Sequence, residues 1–293
     1  MEFMMDNSLP LFSISLAQWS LHRTIFASEL DPLDFPLVAK EDYGLFGVEY
    51  VNTFYKDHRD DAAYWLDLKR RSSDLGVTNL LIMIDHEGDL GDPRKAKQTA
   101  AVNQHMHWAE IAAGLGCHSI RVNARSEGTP EEQAVLVAEG LHQLCEAVEP
   151  LNLNVLVENH GGLSSNGKWL TSVIKTVDHP LCGTLPDFGN FLLDRNADTW
   201  YDRYVGVTEM IPFAKAVSAK SNDFDADGNE IHTDFRRMMQ IVLDAGYRGW
   251  VGVEYEGESL AEPEGIRHTI ALLKRVRDEL TLANAEQMTV SPT

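Results

Sequence analysis

Cysteine is scarce in this 293-residue chain: Cys117, Cys145 and Cys182 are odd in number and far apart. That excludes a disulfide framework and fits a reducing compartment. No uninterrupted apolar run approaches the roughly 20 residues needed to span a bilayer. The opening residues Met1 to Asp6 carry neither the basic segment nor the apolar segment of a secretory signal. These absences make the cytoplasm the expected location. Basic residues are outnumbered, 25 Lys+Arg against 45 Asp+Glu, giving a formal net charge of −20 and a pI near 4.8. So acidic a chain repels nucleic acid and anionic membrane, and neither is an expected partner. No central linker rich in Pro, Gly or Ser divides the chain, and no Gly-x-Gly-x-x-Gly follows the first apolar segment. The first absence argues for one domain, the second against a dinucleotide fold.

What is present is a regular alternation. With 44% hydrophobic and 24% charged residues the composition is that of an ordinary globular protein. Apolar segments that read as strands fall at residues 11–21, 46–52, 78–85, 118–123, 154–158, 182–187, 214–220 and 249–255. Segments with helical spacing separate them, at 34–41, 60–75, from Asp92-Pro93 to 115, from Thr129-Pro130 onward, after Ser164-Ser165-Asn166, at 200–211, from Thr233-Asp234 to 245, and at 262–280. Gly76, Gly116 and Gly246 stand where helices should end. Eight short buried strands alternating with eight helices predict an α/β fold, a single-domain (β/α)8 barrel. Its expected limits are residues 11–283, between an N-terminal extension (1–10) and a frayed C-terminal tail (284–293).

The stretch Asn154 to Gly162 carries the clearest chemical signal. Val155, Leu156 and Val157 form a strand buried on both faces and run straight into Glu158, Asn159 and His160. A carboxylate placed there is costly unless something compensates it. Glu158 and His160 share a face, and Asn159 points the other way. The pattern recurs: the strand ends supply Arg121 and Asn123, then Asp187, then Ser218 and Lys220, then Glu254 and Glu256. Reacting groups of such barrels lie at these ends. One acid at a strand end reads equally well as a cap or an ion-pair partner. Three neighbouring ones, Glu158, Asp187 and Glu254, would repel one another, and a divalent cation removes the conflict. An oxygen-rich set with one imidazole suits Mn²⁺, Mg²⁺ or Co²⁺, and no cysteine at these ends supports a structural zinc. Lys220 fits either a substrate contact or a neutraliser of Glu254 or Glu256. Arg121 and Asn123 fit contacts to substrate hydroxyls or phosphate, with a core ion pair the other reading of Arg121. His105 and His107, two apart on one helix, read as structural, and Trp19, Tyr50, Phe54 and Tyr55 as core aromatics that can also wall a sugar site.

The Glu158 strand, Leu185-Pro186-Asp187-Phe188-Gly189-Asn190, Val217-Ser218-Ala219-Lys220-Ser221 and Gly252-Val253-Glu254-Tyr255-Glu256-Gly257 resemble the sugar phosphate isomerase/epimerase family, the xylose-isomerase-like TIM barrels. The resemblance spans residues 11 to about 280. It implies a divalent metal held by Glu, Asp, His and Glu from strands five to eight, with the two glutamates as the acid/base pair. Glu158, Asp187 and Glu254 match three of the four. Where many members carry the histidine this chain has Ser218, which leaves His160, or a water held by Ser218, as the replacement. Asn190 stands where some epimerases place a histidine near the substrate. The expected function is therefore a metal-dependent sugar or sugar phosphate isomerase/epimerase acting through an enediolate, with Ser218, Asn190 and Glu256 among the substrate contacts. β-Elimination on a keto-sugar or keto-glycoside, a non-catalytic sugar-binding barrel and a nuclease on the same fold are the competing readings, the nuclease opposed by the charge. The resemblance also implies a homo-oligomer.

Overall fold

The computed structural model describes residues 10–290; most of the expected N-terminal extension and the last residues of the tail lie outside that range. Ten strands occur: β1 (Ser13–Ala17), β2 (Gly47–Val51), β3 (Thr78–Met83), β4 (Ser119–Asn123), β5 (Asn154–Glu158), β6 (Cys182–Leu185), β7 (Leu192–Asp194), β8 (Thr199–Trp200), β9 (Val217–Ser221) and β10 (Trp250–Tyr255). Eight of them form one sheet in the order β6-β5-β4-β3-β2-β1-β10-β9, every neighbour parallel. Single parallel bridges, Thr184 to Ala214 and Asp187 to Ser218, join the two ends of that order and close the ring. The expected (β/α)8 barrel is the fold.

The helices are α1 (His22–Phe26), α2 (Phe35–Glu41), α3 (Ala62–Leu75), α4 (Lys95–Leu115), α5 (Pro130–Val148), α6 (Gly167–Val177), α7 (Arg203–Met210), α8 (Phe235–Asp244) and α9 (Glu262–Val290). Several boundaries follow the local chemistry anticipated for them. Thr129 and Glu132 form a reciprocal capping box at α5, Asn166 caps α6, and Gly76 and Gly116 end α3 and α4 with φ of 68° and 84°. None of the described helices is long and apolar enough to cross a membrane.

Four boundaries differ. The first strand stops at Ala17, and residues 18–21 turn into a 3₁₀ helix whose Gln18 donates to the Tyr55 hydroxyl at 2.7 Å. Asp92-Pro93 does not open a helix. Gly91 bridges to Ser126, Asp92 spends its carboxylate on the Arg94 N–H and guanidinium, and α4 begins only at Lys95. Residues 199–200 belong to the antiparallel β7–β8 hairpin, and Asp202 is the true cap of α7, accepting from Tyr204 and Val205. The last helix, expected over 262–280, runs from Glu262 to Val290.

Alternation along the strands sorts side chains into two cores. Ala17, Val51, Leu81, Met83, Leu156, Leu185 and Ala216 fill the barrel interior, while residues such as Val155, Val157 and Val253 pack outward against the helices. Among the interior residues sits a carboxyl that the sequence reading passed over. Glu49 is fully enclosed; one oxygen accepts from Ser15 Oγ at 2.6 Å and the other has no partner. It fits because residue 252 is glycine: a Cβ there would lie 2.6 Å from a Glu49 oxygen. Burial, reinforced by Glu254, pushes the Glu49 carboxyl up to about 7, against the opposing pull of Ser15 and Arg121. Its folded value therefore lies above the ordinary 4.5. The stabilising contribution of the neutral form is fully present below about 4.5 and is lost as pH rises through about 7. The unfolding midpoint should accordingly fall between about pH 5 and about pH 8, and Glu49→Gln should flatten that slope. Thermal unfolding of both proteins across the range checks this, and equal slopes would refute it.

Candidate active site

Glu158 ends β5, Asp187 lies two residues beyond β6, and Glu254 is the fifth residue of β10. All three are buried, and one oxygen of each lies within 4.8 Å of the others. Asp187 is held most firmly. Its Oδ1 accepts from the Gly189 and Asn190 N–H groups at 2.8 and 2.7 Å, and its Oδ2 from Ser218 Oγ at 2.7 Å. Asn159, facing away from Glu158, bonds the Asp187 backbone on both sides and fixes the turn that aims this carboxylate inward. Ser218 Oγ also lies 2.9 Å from Glu254 Oε2. One hydroxyl hydrogen serves one of these two carboxyls at a time.

Glu158 accepts from Asn190 Nδ2 at 3.0 Å through Oε1. Its Oε2 lies 2.7 Å from Arg121 Nε, yet the N–H is not aimed at it, and both atoms lack an aligned hydrogen-bond partner. The contact is thus coulombic rather than a hydrogen bond, and it leaves a buried carboxylate oxygen free to bind. Lys220 reaches over Gly189, whose hydrogen in place of a Cβ leaves room for the lysine stem. The ammonium donates to Asn190 Oδ1 at 3.1 Å and lies 3.1 Å from Glu256, 3.5 Å from Glu254 and 3.9 Å from Asp187. Burial opposes the charge on Lys220, but those carboxyls outweigh it and hold the ammonium well above its ordinary range.

Burial is also the main force raising Glu158, Asp187 and Glu254, with Arg121 and Lys220 pulling back. Asp85, which accepts from Arg121 Nη1 at 2.8 Å and from Asn123 Nδ2 at 2.7 Å, is held below its usual range because those partners overcome the cost of its burial. Five carboxyls, Asp85, Glu158, Asp187, Glu254 and Glu256, thus meet two buried cations, Arg121 and Lys220. The surplus negative charge, the three convergent carboxylates and the unpartnered Glu158 oxygen fit a hard divalent cation. Glu158, Asp187 and Glu254 would hold it. His160 is not brought into that cluster: its ring lies on the cavity wall, its Nδ1 is buried without a partner, and burial, aided by Arg121 and Lys220, pushes it down to about 3. The imidazole is therefore neutral at physiological pH.

A cavity of about 270 Å³ opens above these groups, walled by Trp19, Asp85, Arg121, His160, Glu254 and Glu256 among others. Of the four aromatics named from sequence, Trp19 lines it and stacks on Phe54 at 5.8 Å, while Tyr50 and Tyr55 belong to the outer core. His22 stacks behind Trp19 and bonds its carbonyl. Asn123 turns toward Asp85. The sequence reading missed Asp85, His86 and Arg125 in this wall. The signal for Asp85 was available, since it follows the third apolar segment as Glu158 follows the fifth. His86 has φ 63°, a left-handed conformation rare for a residue with a side chain and concentrated at working sites. Roomier hollows exist on the outer helical wall, one of about 480 Å³ beside Trp65 and His107, but it shares no residue with this site.

A family model described as xylose isomerase-like TIM barrel matches residues 37–276. The chain belongs to that family. No curated protein matches it. Among solved structures, L-ribulose 3-epimerase superposes with a TM-score of 0.72 at 13% identity, covering 96% of this chain and 98% of that one. The 3-keto-D-glucoside 4-epimerase from E. coli, in its apo form, gives 0.66 at 15% identity over 84% of this chain and 94% of its own. The IOLI protein, solved with a binding zinc atom, gives 0.68 at 14% identity over 92% and 99%. At such identities the likeness shows the fold alone. Within this xylose isomerase-like barrel the structure puts Ser218 between two candidate ligands.

Protons and a divalent cation compete for the three raised carboxyls, so manganese affinity should rise with pH above the ordinary carboxylate range. Asp187→Asn should weaken it by at least about tenfold. Calorimetric titration of chelator-treated protein with manganese chloride measures both; affinity independent of pH and of Asp187 would remove the assignment.

Proposed function

We propose that this xylose isomerase-like barrel is a carbohydrate isomerase or epimerase that moves a proton next to a carbonyl. The observation that carries the reading is the convergence of Glu158, Asp187 and Glu254 at the mouth of the barrel, with Lys220 and Arg121 beside them. A divalent cation held by the three carboxylates would supply Lewis-acid charge and a template for adjacent sugar oxygens.

The chain's own groups supply the rest. Glu254 lines the cavity, whereas Glu158 is held beneath it by Asn190 and Arg121. Glu254 is therefore the base: it takes the proton from the carbon beside the carbonyl, the C–H electron pair becomes the C=C bond of an enediolate, and the carbonyl oxygen takes up negative charge. The Lys220 ammonium and the Arg121 guanidinium, both buried, answer that charge where water does not screen it. For the epimer, Glu158 starts with its own proton, which burial favours, and delivers it to the other face of the same carbon while Glu254 keeps the one it took. For the isomer, Glu254 returns its proton to the neighbouring carbon. No electrons leave and no co-reactant is consumed. His160, neutral and with a free Nδ1, and the half-buried Glu256 are placed to orient hydroxyls.

Glu254→Gln should lower turnover by about 10²–10⁴-fold, the usual contribution of a positioned general base, with the circular dichroism spectrum unchanged. Proton NMR in D₂O with a panel of ketoses tests it: exchange of a carbon-bound proton in the parent protein, lost in the variant, is the expected result. Undiminished exchange in Glu254→Gln would sink the role, and no exchange on any substrate would favour a barrel that binds sugars without converting them.

A further inference from the structure

A second cavity, of about 440 Å³, lies between the β7–β8 hairpin and the loop after β9. Gly189 and Lys220 form part of its wall. Lys220 is also the partition from the smaller cavity, because its ammonium sits 3.1 Å from Glu256 and 3.5 Å from Glu254, both of which line that cavity. A sugar reacting at Glu254 therefore has this second space as its neighbour across one side chain.

The groups around the second cavity divide into committed and free. Glu230 lines it, but both its oxygens are turned into the loop, accepting from the N–H groups of Asn222, Asp223, His232 and Thr233. The His232 ring lies 3.0 Å from Asp223. Three groups remain. The Asn222 side-chain amide makes no hydrogen bond among the described residues. The half-buried Arg203 guanidinium donates to the Thr233 hydroxyl and has no carboxylate within 4.0 Å among the described residues. The Trp200 indole spends its N–H on Asp198 and stays 52% exposed, so its ring is available. An amide, a planar fork of donors and an indole face together suit a ring that has hydroxyls on its edge and C–H groups on its face. An anionic group is the poorer match. Glu230 lines this space, the Lys220 charge is already answered from the far side by Glu254 and Glu256, and the chain as a whole carries −20.

We propose that this cavity is a subsite for a second sugar ring, joined by a glycosidic bond to the ring that reacts, so that the substrate is a keto-glycoside rather than a free ketose. The proposal rests on the function above for which ring faces Glu254. It differs from that function in what it predicts for binding.

The test is calorimetric affinity for D-fructose, its glucosyl derivatives turanose, maltulose and isomaltulose, and D-fructose 6-phosphate, on the same protein used for the D₂O exchange. At least one glucosyl derivative should bind about tenfold more tightly than D-fructose. Asn222→Ala, which removes an amide that holds nothing in the fold, and Trp200→Ala should each bring that ratio toward one. No glucosyl derivative binding better than D-fructose overturns the subsite. So does tightest binding of the phosphate ester that is lost in Arg203→Gln, which would make the cavity an anion site. Disaccharide preference without solvent-proton exchange supports the subsite and overturns only the enolising reading. Exchange on free ketoses without that preference does the reverse.

Discussion

Asp187 and Ser218 meet twice. Their backbones form one of the two bridges that close β6 on β9, and the Ser218 hydroxyl donates to Asp187 Oδ2. The ring of eight strands is therefore sealed at the place where the carboxyls gather. Asp187 carries the turn through Asn190, Asn190 holds Glu158 and accepts from Lys220, and Lys220 faces Glu254 and Glu256. Asp187 is thus linked to both glutamates and to the lysine through a continuous set of side-chain contacts. The site is built into the closure of the barrel.

Such a network is a poor way to stabilise a fold. Desolvating a charge costs several kcal/mol, and buried pairs recover this only with good geometry. Here the Arg121–Glu158 contact is short but misaligned, and Glu158 keeps an oxygen without an aligned donor. The three carboxyls raise one another's affinity for protons, with burial as the larger cause. Glu49, one layer deeper, adds a fourth buried carboxyl that repels Glu254. The apolar interior of Ala17, Leu81, Met83 and Leu156 and the outer shell of helix contacts hold the barrel together and so allow the polar half of the interior to be under-compensated. Chemistry, not stability, is what a surplus of buried acids equips this protein for.

Much of this was legible in the sequence because it rests on local rules. Short, largely apolar segments ending in an acid located β5, β6 and β10 and their carboxylates, and capping residues placed α5 and α6. The misreadings have physical causes. Asp92-Pro93 has the composition of a helix start, but the carboxylate was claimed by Arg94. The hairpin that contributes Trp200 is only a few residues on each side, joined by an Asp194 turn that lacks the glycine of the commonest hairpins. Glu49 stands mid-strand in β2 and Asp85 singly beyond β3, places where one acid reads equally well as an ion-pair partner or a cap. The side cavity lay beyond sequence reasoning altogether, since Arg203, Asn222 and Thr233 come together only when the hairpin and the loop after β9 fold over Lys220.

Ser218 and Lys220 are best understood as a pair. They occupy alternate positions of β9 and face the same interior. A short hydroxyl at 218 bonds two carboxyls and contributes no charge, while the ammonium two residues on stands 3.5 and 3.9 Å from the same two groups. An imidazole at 218 would offer a neutral ligand to a cation. The serine–lysine pair instead puts a fixed positive charge at the edge of the site. That charge would compete with a divalent cation for Glu254 and Asp187 and so weaken its binding. It also stands ready for any negative charge that develops on a substrate oxygen. In the proposed reaction the arrangement would trade affinity for a metal against a permanent electrostatic partner for the enediolate, with a residue that also walls the second cavity. Recognition of a distal group and stabilisation of the reacting one would then converge on Lys220.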